Sequence, residues 1–246
     1  MVLKMNISII ACDRSFDIGC RVILWDEKKG IDFQPYGKYT KRNISFNALS
    51  KKFTQFTVHW SVTYRAKHME GGLIARGLSC NFMIDDNKND KGYADIYQCL
   101  PLQCGGWSQG GKFNALGPGV EISYMPQYFS HKGLYSPDNR QKYNVPMHKT
   151  ITAPIHGTKL KVFLPTKAQI NSLKALIWGY TELFPHIPSK FPRDSNDKYI
   201  TTVLKQPEKY VGLVNHYNLK REKIDTAGLD LQDIEKSISS MHKWGY

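Results

Sequence analysis

Asn215-His216-Tyr217-Asn218 and Lys223-Ile224-Asp225-Thr226-Ala227-Gly228 are the two runs near the C-terminus around which this chain is organised. They place a histidine nine residues before an aspartate, and a lysine two residues before that aspartate. An imidazole nitrogen and a carboxylate oxygen are both good zinc ligands, at about 2.0–2.2 Å. Because a catalytic zinc site takes three protein ligands and keeps a fourth position open, one further ligand is required.

The best candidate for that ligand is His59, far upstream in Val58-His59-Trp60-Ser61-Val62-Thr63. The alternating residues 53–60 predict a strand that carries His59 near its C-terminal end, where α/β sheets commonly place their chemistry. A lone histidine on an apolar strand is more often a partly buried structural residue. The ligand role of His59 therefore depends on the other two candidates.

The composition predicts a folded protein of one large domain or two small ones. The 246 residues include 14 Tyr, 11 Phe and 5 Trp, enough aromatic surface for a packed core and too much for a disordered chain. No run approaches the roughly 18 apolar residues of a membrane span. The N-terminus lacks the pattern of a signal peptide, so we expect synthesis in a cytoplasm. The five cysteines are expected to be reduced thiols.

The net charge of +13 favours anionic partners: nucleic acid, an acidic membrane face or an anionic wall polymer. The basic residues are scattered along the chain, and no helix-turn-helix, zinc-finger or RNP motif is present. Nucleic acid is therefore the least favoured of these partners.

The hydrophobic pattern predicts a mixed α+β fold (α/β in the broad sense), a single domain with a central mixed β-sheet flanked by helices. Besides 53–60, strands are expected at 7–11, 21–25, 78–85, 94–100 and 119–124, with 78–85 and 94–100 paired as a hairpin around a polar turn at 86–92. Helices are expected over 64–74, from the capping-box residue Thr166 to Leu183, and from Asp230 onwards. Residues 125–158 are interpreted as a long irregular loop, and residues 1–50 as an extension packed on the domain.

Several further motifs follow one another in a familiar order. They are His59-Trp60-Ser61-Val62-Thr63, Ser79-Cys80-Asn81-Phe82, Ile96-Tyr97-Gln98-Cys99-Leu100-Pro101, Gly106-Trp107, Asn114, Gly119-Val120-Glu121-Ile122, Thr166-Lys167-Ala168-Gln169, and His216 with Lys223-Ile224-Asp225. In this order the chain resembles the zinc-dependent N-acetylmuramoyl-L-alanine amidases, the superfamily of phage lysozyme-type amidases and peptidoglycan recognition proteins. The resemblance covers about residues 53–241 and predicts an amidase domain at 51–246.

The resemblance implies a set of site residues. His59, His216 and Asp225 would be the Zn²⁺ ligands, Glu121 the general base, and Lys223 the group that holds a developing oxyanion. Residues of possible substrate contact are Trp60, Trp107 and Asn114. The family usually has a histidine where Asn81 stands here, often one where Ser108 stands, and in some members a tyrosine near Cys80.

The implied activity is hydrolysis of the amide between N-acetylmuramic acid and L-alanine of bacterial peptidoglycan. A bacteriolytic, antimicrobial enzyme of the phage-endolysin type is the expected role, made in the cytoplasm and acting on the cell wall after release. A wall-recycling amidase and a secreted antibacterial effector are also compatible. The alternatives from other classes are a non-catalytic peptidoglycan-binding protein of the same fold and a basic nucleic-acid-binding protein.

Overall fold

The computed structural model describes residues 6–36, 38–87 and 91–244, and it has the mixed α+β architecture that the sequence predicts. The strands are β1 (Ser8–Ala11), β2 (Arg14–Asp17), β3 (Val22–Leu24), β4 (Thr40–Lys41), β5 (Gln55–Trp60), β6 (Phe82–Ile84), β7 (Ile96–Gln98), β8 (Cys104–Gly105), β9 (Gly119–Ile122), β10 (Thr150–Ile155), β11 (Thr158–Phe163) and β12 (Gly212–Asn215). The helices are α1 (Phe46–Ser50), α2 (Ala66–Ala75), α3 (Tyr128–His131), α4 (Pro137–Tyr143), α5 (Lys167–Leu183), α6 (His216–Leu219) and α7 (Leu231–Trp244).

A six-stranded sheet of order β12-β5-β9-β6-β7-β3 forms the centre of the molecule. The strands β12, β5, β9 and β6 run parallel, β7 is antiparallel to β6, and β3 is parallel to β7. Every residue of β5, β9 and β12 is buried, which is typical of parallel strands covered on both faces. The first fifty residues thus contribute β3 to one edge of this sheet.

Helix α5 covers one face of the sheet and is the longest helix in the described residues. Its N-cap Thr166 accepts a hydrogen bond from the Gln169 backbone, and the Gln169 side chain returns to Thr166, so the predicted capping box is confirmed. Tyr180 packs on Phe56 of β5 with ring centroids 4.9 Å apart. Most apolar positions of α5 and α7 are therefore core, as their helical spacing predicts, whereas Ile170 and Met241 are only partly buried.

The predicted strands and helices that surround His59 and His216 are present, and most are shorter than predicted. The hairpin between β6 and β7 is present, although residues 88–90 of its turn lie outside the described residues. Strand β6 begins at Phe82 rather than at residue 78. The preceding residues serve loops instead: Ser79 Oγ donates to the Lys38 carbonyl, and Asn81 Nδ2 donates to the Cys104 carbonyl.

The prediction of an irregular loop over 125–158 is wrong. This segment contains α3, α4 and strand β10. Strand β10 pairs with β11 in an antiparallel hairpin of six residue pairs. The hairpin turns at His156 and Gly157, both with positive φ, as a tight two-residue turn requires. Ile151, Ala153 and Ile155 do alternate along β10, but most of its residues are exposed and Pro154 interrupts the run, which favoured the interpretation as a loop.

None of the helices in the described part of the chain combines the length and apolar character that crossing a bilayer requires.

Candidate metal centre

Strand register brings the first two site residues together. Strands β5 and β9 are parallel neighbours, and His59 lies directly opposite Glu121. Because in-register residues of adjacent strands point to the same face, both side chains project from the sheet on one side, near the C-terminal ends of their strands. Both are buried, with 1 % of His59 and 7 % of Glu121 exposed.

The third strand of this group supplies His216. Strand β12 pairs in parallel with β5, with Asn215 opposite Val58, so the next residue of each chain segment, His216 and His59, reach the same edge of the sheet. His216 is the first residue of α6. Asn218 caps the start of this helix, because its Oδ1 accepts the backbone N–H of Asn215. His216 therefore lies at the junction between the end of β12 and the start of α6, level with His59 of β5.

Asp225 reaches the two histidines from a loop that is fastened to the end of β12. Its carbonyl accepts the N–H of Tyr217 at 2.9 Å, and the hydroxyl of the following Thr226 donates to Asn215 Oδ1 at 2.6 Å. Both anchors are buried. The loop therefore fixes the aspartate against the same strand that delivers His216.

Three ligand atoms meet at the centre of this arrangement. The Nδ1 atoms of His59 and His216 are 2.9 Å apart, and Asp225 Oδ2 lies 2.9 Å from His216 Nδ1 and 3.3 Å from His59 Nδ1. Ligands at 2.0–2.1 Å from a tetrahedral zinc ion are separated by about 3.4 Å, close to these separations. The triangle is of the size that a small cation with nitrogen and oxygen ligands needs.

Hydrogen bonding alone does not account for the triangle. A neutral imidazole carries one ring hydrogen, so the contacts among two Nδ1 atoms and a carboxylate oxygen cannot all be hydrogen bonds at once. A cation bound to all three atoms would account for all three close contacts. The three residues form the group of potential metal ligands in the described chain, and they fit a zinc ion.

The protonation states also suit a metal. The pKa of His59 is lowered to about 4, first by burial and then by the neighbouring His216, against the opposing effect of Asp225. Burial raises the pKa of Asp225, but hydrogen bonds to His216 and His59 outweigh it and hold the pKa well below its usual range. A neutral imidazole and an ionised carboxylate are the forms that bind metals.

Glu121 lies beside the triad in a different electrostatic state. Burial raises the pKa of its carboxyl well above the usual value, and the charge of Asp225 raises it further, while Arg76 and Lys223 partly offset both. A carboxyl with a raised pKa holds a proton more firmly than an exposed glutamate does. It is thus suited to hold and transfer a proton within the site.

A cleft of about 320 Å³ gives access to these groups. Its walls are formed by His59, Trp60, Ser61, Val62, Met69, Leu73, Arg76, Leu78, Ser108, Glu121, Gln127, His216, Glu222, Lys223, Ile224 and Asp225. A larger groove of about 710 Å³, at Arg65 and the N-terminus of α5, contains none of the triad. We assign the site to the smaller cleft because the metal-ligand group and the buried carboxyl both line it.

The structure brings together most of the residues singled out from the sequence. His59, His216, Asp225, Glu121 and Lys223 all line the cleft, and so does Trp60, which also packs edge-on against Tyr124 with ring centroids 6.0 Å apart.

Trp107 and Asn114 are not among the residues that line the cleft. Trp107 donates its indole N–H to Thr40 Oγ1, and Asn114 Oδ1 accepts the backbone N–H groups of Gln109 and Gly110. Asn114 therefore shapes the glycine-rich loop, and a contact of either residue with substrate stays a prediction.

Three polar residues of the cleft were missed in the sequence: Arg76, Gln127 and Glu222. Arg76 lies at the C-terminal cap of α2 and influences the pKa of Glu121. Its position depends on how α2 packs on the sheet, so no local motif marks it. Gln127 belongs to the segment interpreted as irregular loop, where no strand or helix was available to orient it.

Comparisons with known proteins give matches only among solved structures. No protein-family model and no curated protein matches the chain. AmpDh3 from Pseudomonas aeruginosa, in complex with an anhydromuramic pentapeptide, is similar at 14 % identity and a TM-score of 0.47 over 86 % of this chain and 65 % of that one.

Two further structures resemble the chain. The N-acetylmuramyl-L-alanine amidase AmiD from E. coli has 12 % identity and a TM-score of 0.46, over 94 % of this chain and 65 % of that one. The Staphylococcus aureus hydrolase AmiA has 10 % identity and a TM-score of 0.42, over 91 % and 84 %. The chain therefore spans just under two thirds of the length of AmpDh3 and AmiD, and sequence identity to all three is low.

Proposed function

We propose that this protein is a zinc-dependent N-acetylmuramoyl-L-alanine amidase. The observation that carries the proposal is the triangle of His59 Nδ1, His216 Nδ1 and Asp225 Oδ2, with sides of 2.9, 2.9 and 3.3 Å, next to the buried carboxyl of Glu121. Metal-assisted hydrolysis requires metal ligands and a nearby group that can exchange protons. This site provides two neutral ligands, one anionic ligand and an adjacent carboxyl.

In this proposal His59, His216 and Asp225 hold the zinc ion. When bound there, the ion would supply the polarisation of a carbonyl and the activation of water as a nucleophile. The single negative charge of Asp225 leaves a net positive site, which favours the approach of a carbonyl oxygen.

Glu121 moves the proton in the proposed reaction. Hydrolysis of an amide adds the oxygen of water to the carbonyl carbon, breaks the carbon–nitrogen bond, and leaves a carboxylic acid and an amine. Glu121 takes a proton from the attacking water and returns it to the departing amine nitrogen. Its raised pKa supports both steps, because the carboxylate must bind the proton before it can donate it.

Lys223 stabilises negative charge in the same cleft. It stands two residues before Asp225, lines the cleft, and contributes positive charge that acts on both Glu121 and His59. We assign its ammonium group to the oxyanion that forms when the amide carbonyl is attacked.

The substrate class rests on the motif order described for the sequence. It implies the amide between the lactyl group of N-acetylmuramic acid and the L-alanine of the stem peptide. The charge of +13 suits an anionic wall polymer, whose carboxylates and phosphates would attract the protein by a force that weakens with salt. AmpDh3 and AmiD hold anhydromuramic peptides in their structures, which are compounds of this class.

We further propose a bacteriolytic role of the endolysin type, with synthesis in the cytoplasm and action on the wall after release. The support is the basic charge of the chain, which suits an anionic wall polymer. Induced expression in a bacterium, with and without a separately made membrane pore, tests this role. Lysis that depends on the pore is expected, and growth unaffected by the combination would contradict it.

The experiment that tests the amidase proposal is digestion of purified peptidoglycan, with added zinc or with chelator, followed by mass spectrometry. We expect release of stem peptides with a free N-terminal alanine from glycan strands that stay intact, and loss of this release with chelator. Binding to the wall without release in the presence of zinc would instead favour a non-catalytic binding protein.

A further inference from the structure

Three buried polar atoms beside the metal centre lack a hydrogen-bond partner among the described residues: Nε2 of His59, Nε2 of His216 and Oγ of Ser108. A buried donor or acceptor without a partner costs free energy, so such groups are normally paired. His59 uses its other ring nitrogen, Nδ1, toward His216 and Asp225. Its Nε2 must therefore carry the ring hydrogen when Nδ1 serves as a ligand.

Gly119 opens the space in which His59 Nε2 and Ser108 Oγ approach each other. A methyl group built at Gly119 would lie 3.1 Å from Ser108 Oγ and 3.2 Å from His59 Nε2. Gly119 belongs to β9 and has Thr57 of β5 as its in-register partner, two residues before His59. Ser108 and His59 thus face one small space on the cleft side of the sheet, kept free by the missing side chain.

We propose that Ser108 is a positioning residue for the metal centre: its hydroxyl oxygen accepts the Nε2 hydrogen of His59, directly or through one water molecule. A hydroxyl oxygen can accept this hydrogen, and a bridging water would span a longer separation between the two atoms. The contact fixes the tautomer of His59 whose bare Nδ1 faces His216 and Asp225. Ligating histidines commonly donate their second ring hydrogen to such a partner, and its loss weakens metal binding by about 10–100-fold.

The proposal rests on the proposed zinc site, but it is tested first without metal. The measurement is the tautomer of His59 in metal-free protein with ¹⁵N-labelled histidine, read by long-range ¹H–¹⁵N NMR at pH 7.5. In the wild type and in Ser108→Thr, which keeps the hydroxyl, His59 is expected as the Nε2–H form. In Ser108→Ala a mixture of the two tautomers is expected.

Zinc affinity, measured by competition with a chelator, is the second readout. Ser108→Ala is expected to bind zinc about 10–100-fold more weakly than the wild type, and Ser108→Thr to restore most of the affinity. Gly119→Ala, which places a methyl group between the two atoms, is expected to weaken binding even though the serine is present. Ser61→Ala is the matched control, because Ser61 lines the same cleft but its hydroxyl already contacts Thr63 Oγ1 at 2.9 Å.

An unchanged tautomer in Ser108→Ala, with zinc affinity within twofold of the wild type, would overturn the role of Ser108. That result leaves the amidase proposal intact. If the wild type itself binds no zinc, the amidase proposal fails, and the tautomer of the metal-free protein still decides whether Ser108 positions His59.

Discussion

At the scale of single residues, Glu121 is the group whose chemistry depends most on its surroundings. Its replacement by glutamine keeps the shape of the side chain and removes its ability to accept a proton. For Glu121→Gln we expect kcat for peptidoglycan hydrolysis to fall by about 10²–10⁴-fold with KM little changed. Zinc content by elemental analysis should remain that of the wild type, because Glu121 is not one of the three ligand residues.

Activity of Glu121→Gln within a few-fold of the wild type would exclude Glu121 as the proton-transfer group. Loss of zinc together with activity would make it a structural support of the metal site instead.

Lys223 carries the second prediction at this scale. Lys223→Met removes the positive charge with little loss of volume and is expected to lower kcat by about 10²–10³-fold, as loss of an oxyanion-stabilising group does. Lys223→Arg should retain part of the rate because the charge remains. The control is Lys236→Met, since Lys236 is exposed on α7, outside the cleft. Equal rates for Lys223→Met and the control variant would contradict the assignment.

At the scale of elements, a buried contact joins the end of β6 to the segment that carries β10. His148 Nδ1 is 2.7 Å from the Leu164 carbonyl, which can only accept, so Nδ1 holds the ring hydrogen. His148 Nε2 faces Asp86 Oδ2 at 3.2 Å, and both side chains are fully buried. Burial raises the pKa of Asp86 despite the opposing contact with His148, so the protonated acid is the form that suits this pair.

The stability of the protein should depend on pH through this aspartate. Because the folded-state pKa of Asp86 lies above its unfolded value of about 3.8, the folded state binds its proton more tightly. The stabilisation that Asp86 contributes is fully present below its unfolded-state pKa of about 3.8. It is lost as the pH rises through the folded-state pKa of Asp86. Asp86→Asn imitates the protonated acid and should become increasingly more stable than the wild type as the pH rises from about 4.

Urea denaturation of both proteins across that pH range measures this difference in the free energy of unfolding. The exposed Asp138→Asn serves as control and should show no such trend. A difference between Asp86→Asn and the wild type that stays constant with pH, or that turns in favour of the wild type, would contradict the raised pKa.

At the scale of the whole molecule, the cysteines report on the packing of the core. All five are free thiols, and only Cys12 is partly exposed. Burial, with a smaller effect of Asp95, raises the pKa of Cys20 to about 12, and burial also raises the pKa values of Cys12, Cys80 and Cys104. Since the thiolate is the reactive form, at most one thiol should react with Ellman's reagent within minutes at pH 8, and five after denaturation. Two or more fast thiols in the native protein would contradict the packing.

The sequence predicts the parts of this molecule whose signals are local. Apolar runs predict the buried strands, and the Thr166–Gln169 pair predicts the start of helix α5. His216 and Asp225 are close enough in sequence to suggest a shared site. The hairpin β10–β11 was missed although its strands carry weak apolar alternations, because Pro154 and the mostly exposed residues of the segment favoured a loop.

Other features of the site depend on contacts between distant segments. Arg76 reaches the cleft through the packing of α2, and the space shared by Ser108 and His59 depends on the register of β5 with β9. No pattern within either segment encodes such a juxtaposition. The motif order suggested which residues belong to the centre, whereas the structure gives the three distances that test whether they fit a metal.

The measurement that tests this centre most directly is the zinc content of the purified protein, by elemental mass spectrometry after dialysis, alongside His216→Ala. We expect one zinc ion per chain in the wild type and a loss of nearly all zinc in His216→Ala, because two ligands cannot hold the ion as three do. An exposed histidine variant, His242→Ala, should keep the wild-type content. A wild type without zinc after reconstitution, or equal zinc in His216→Ala, would contradict a metal site built from His59, His216 and Asp225.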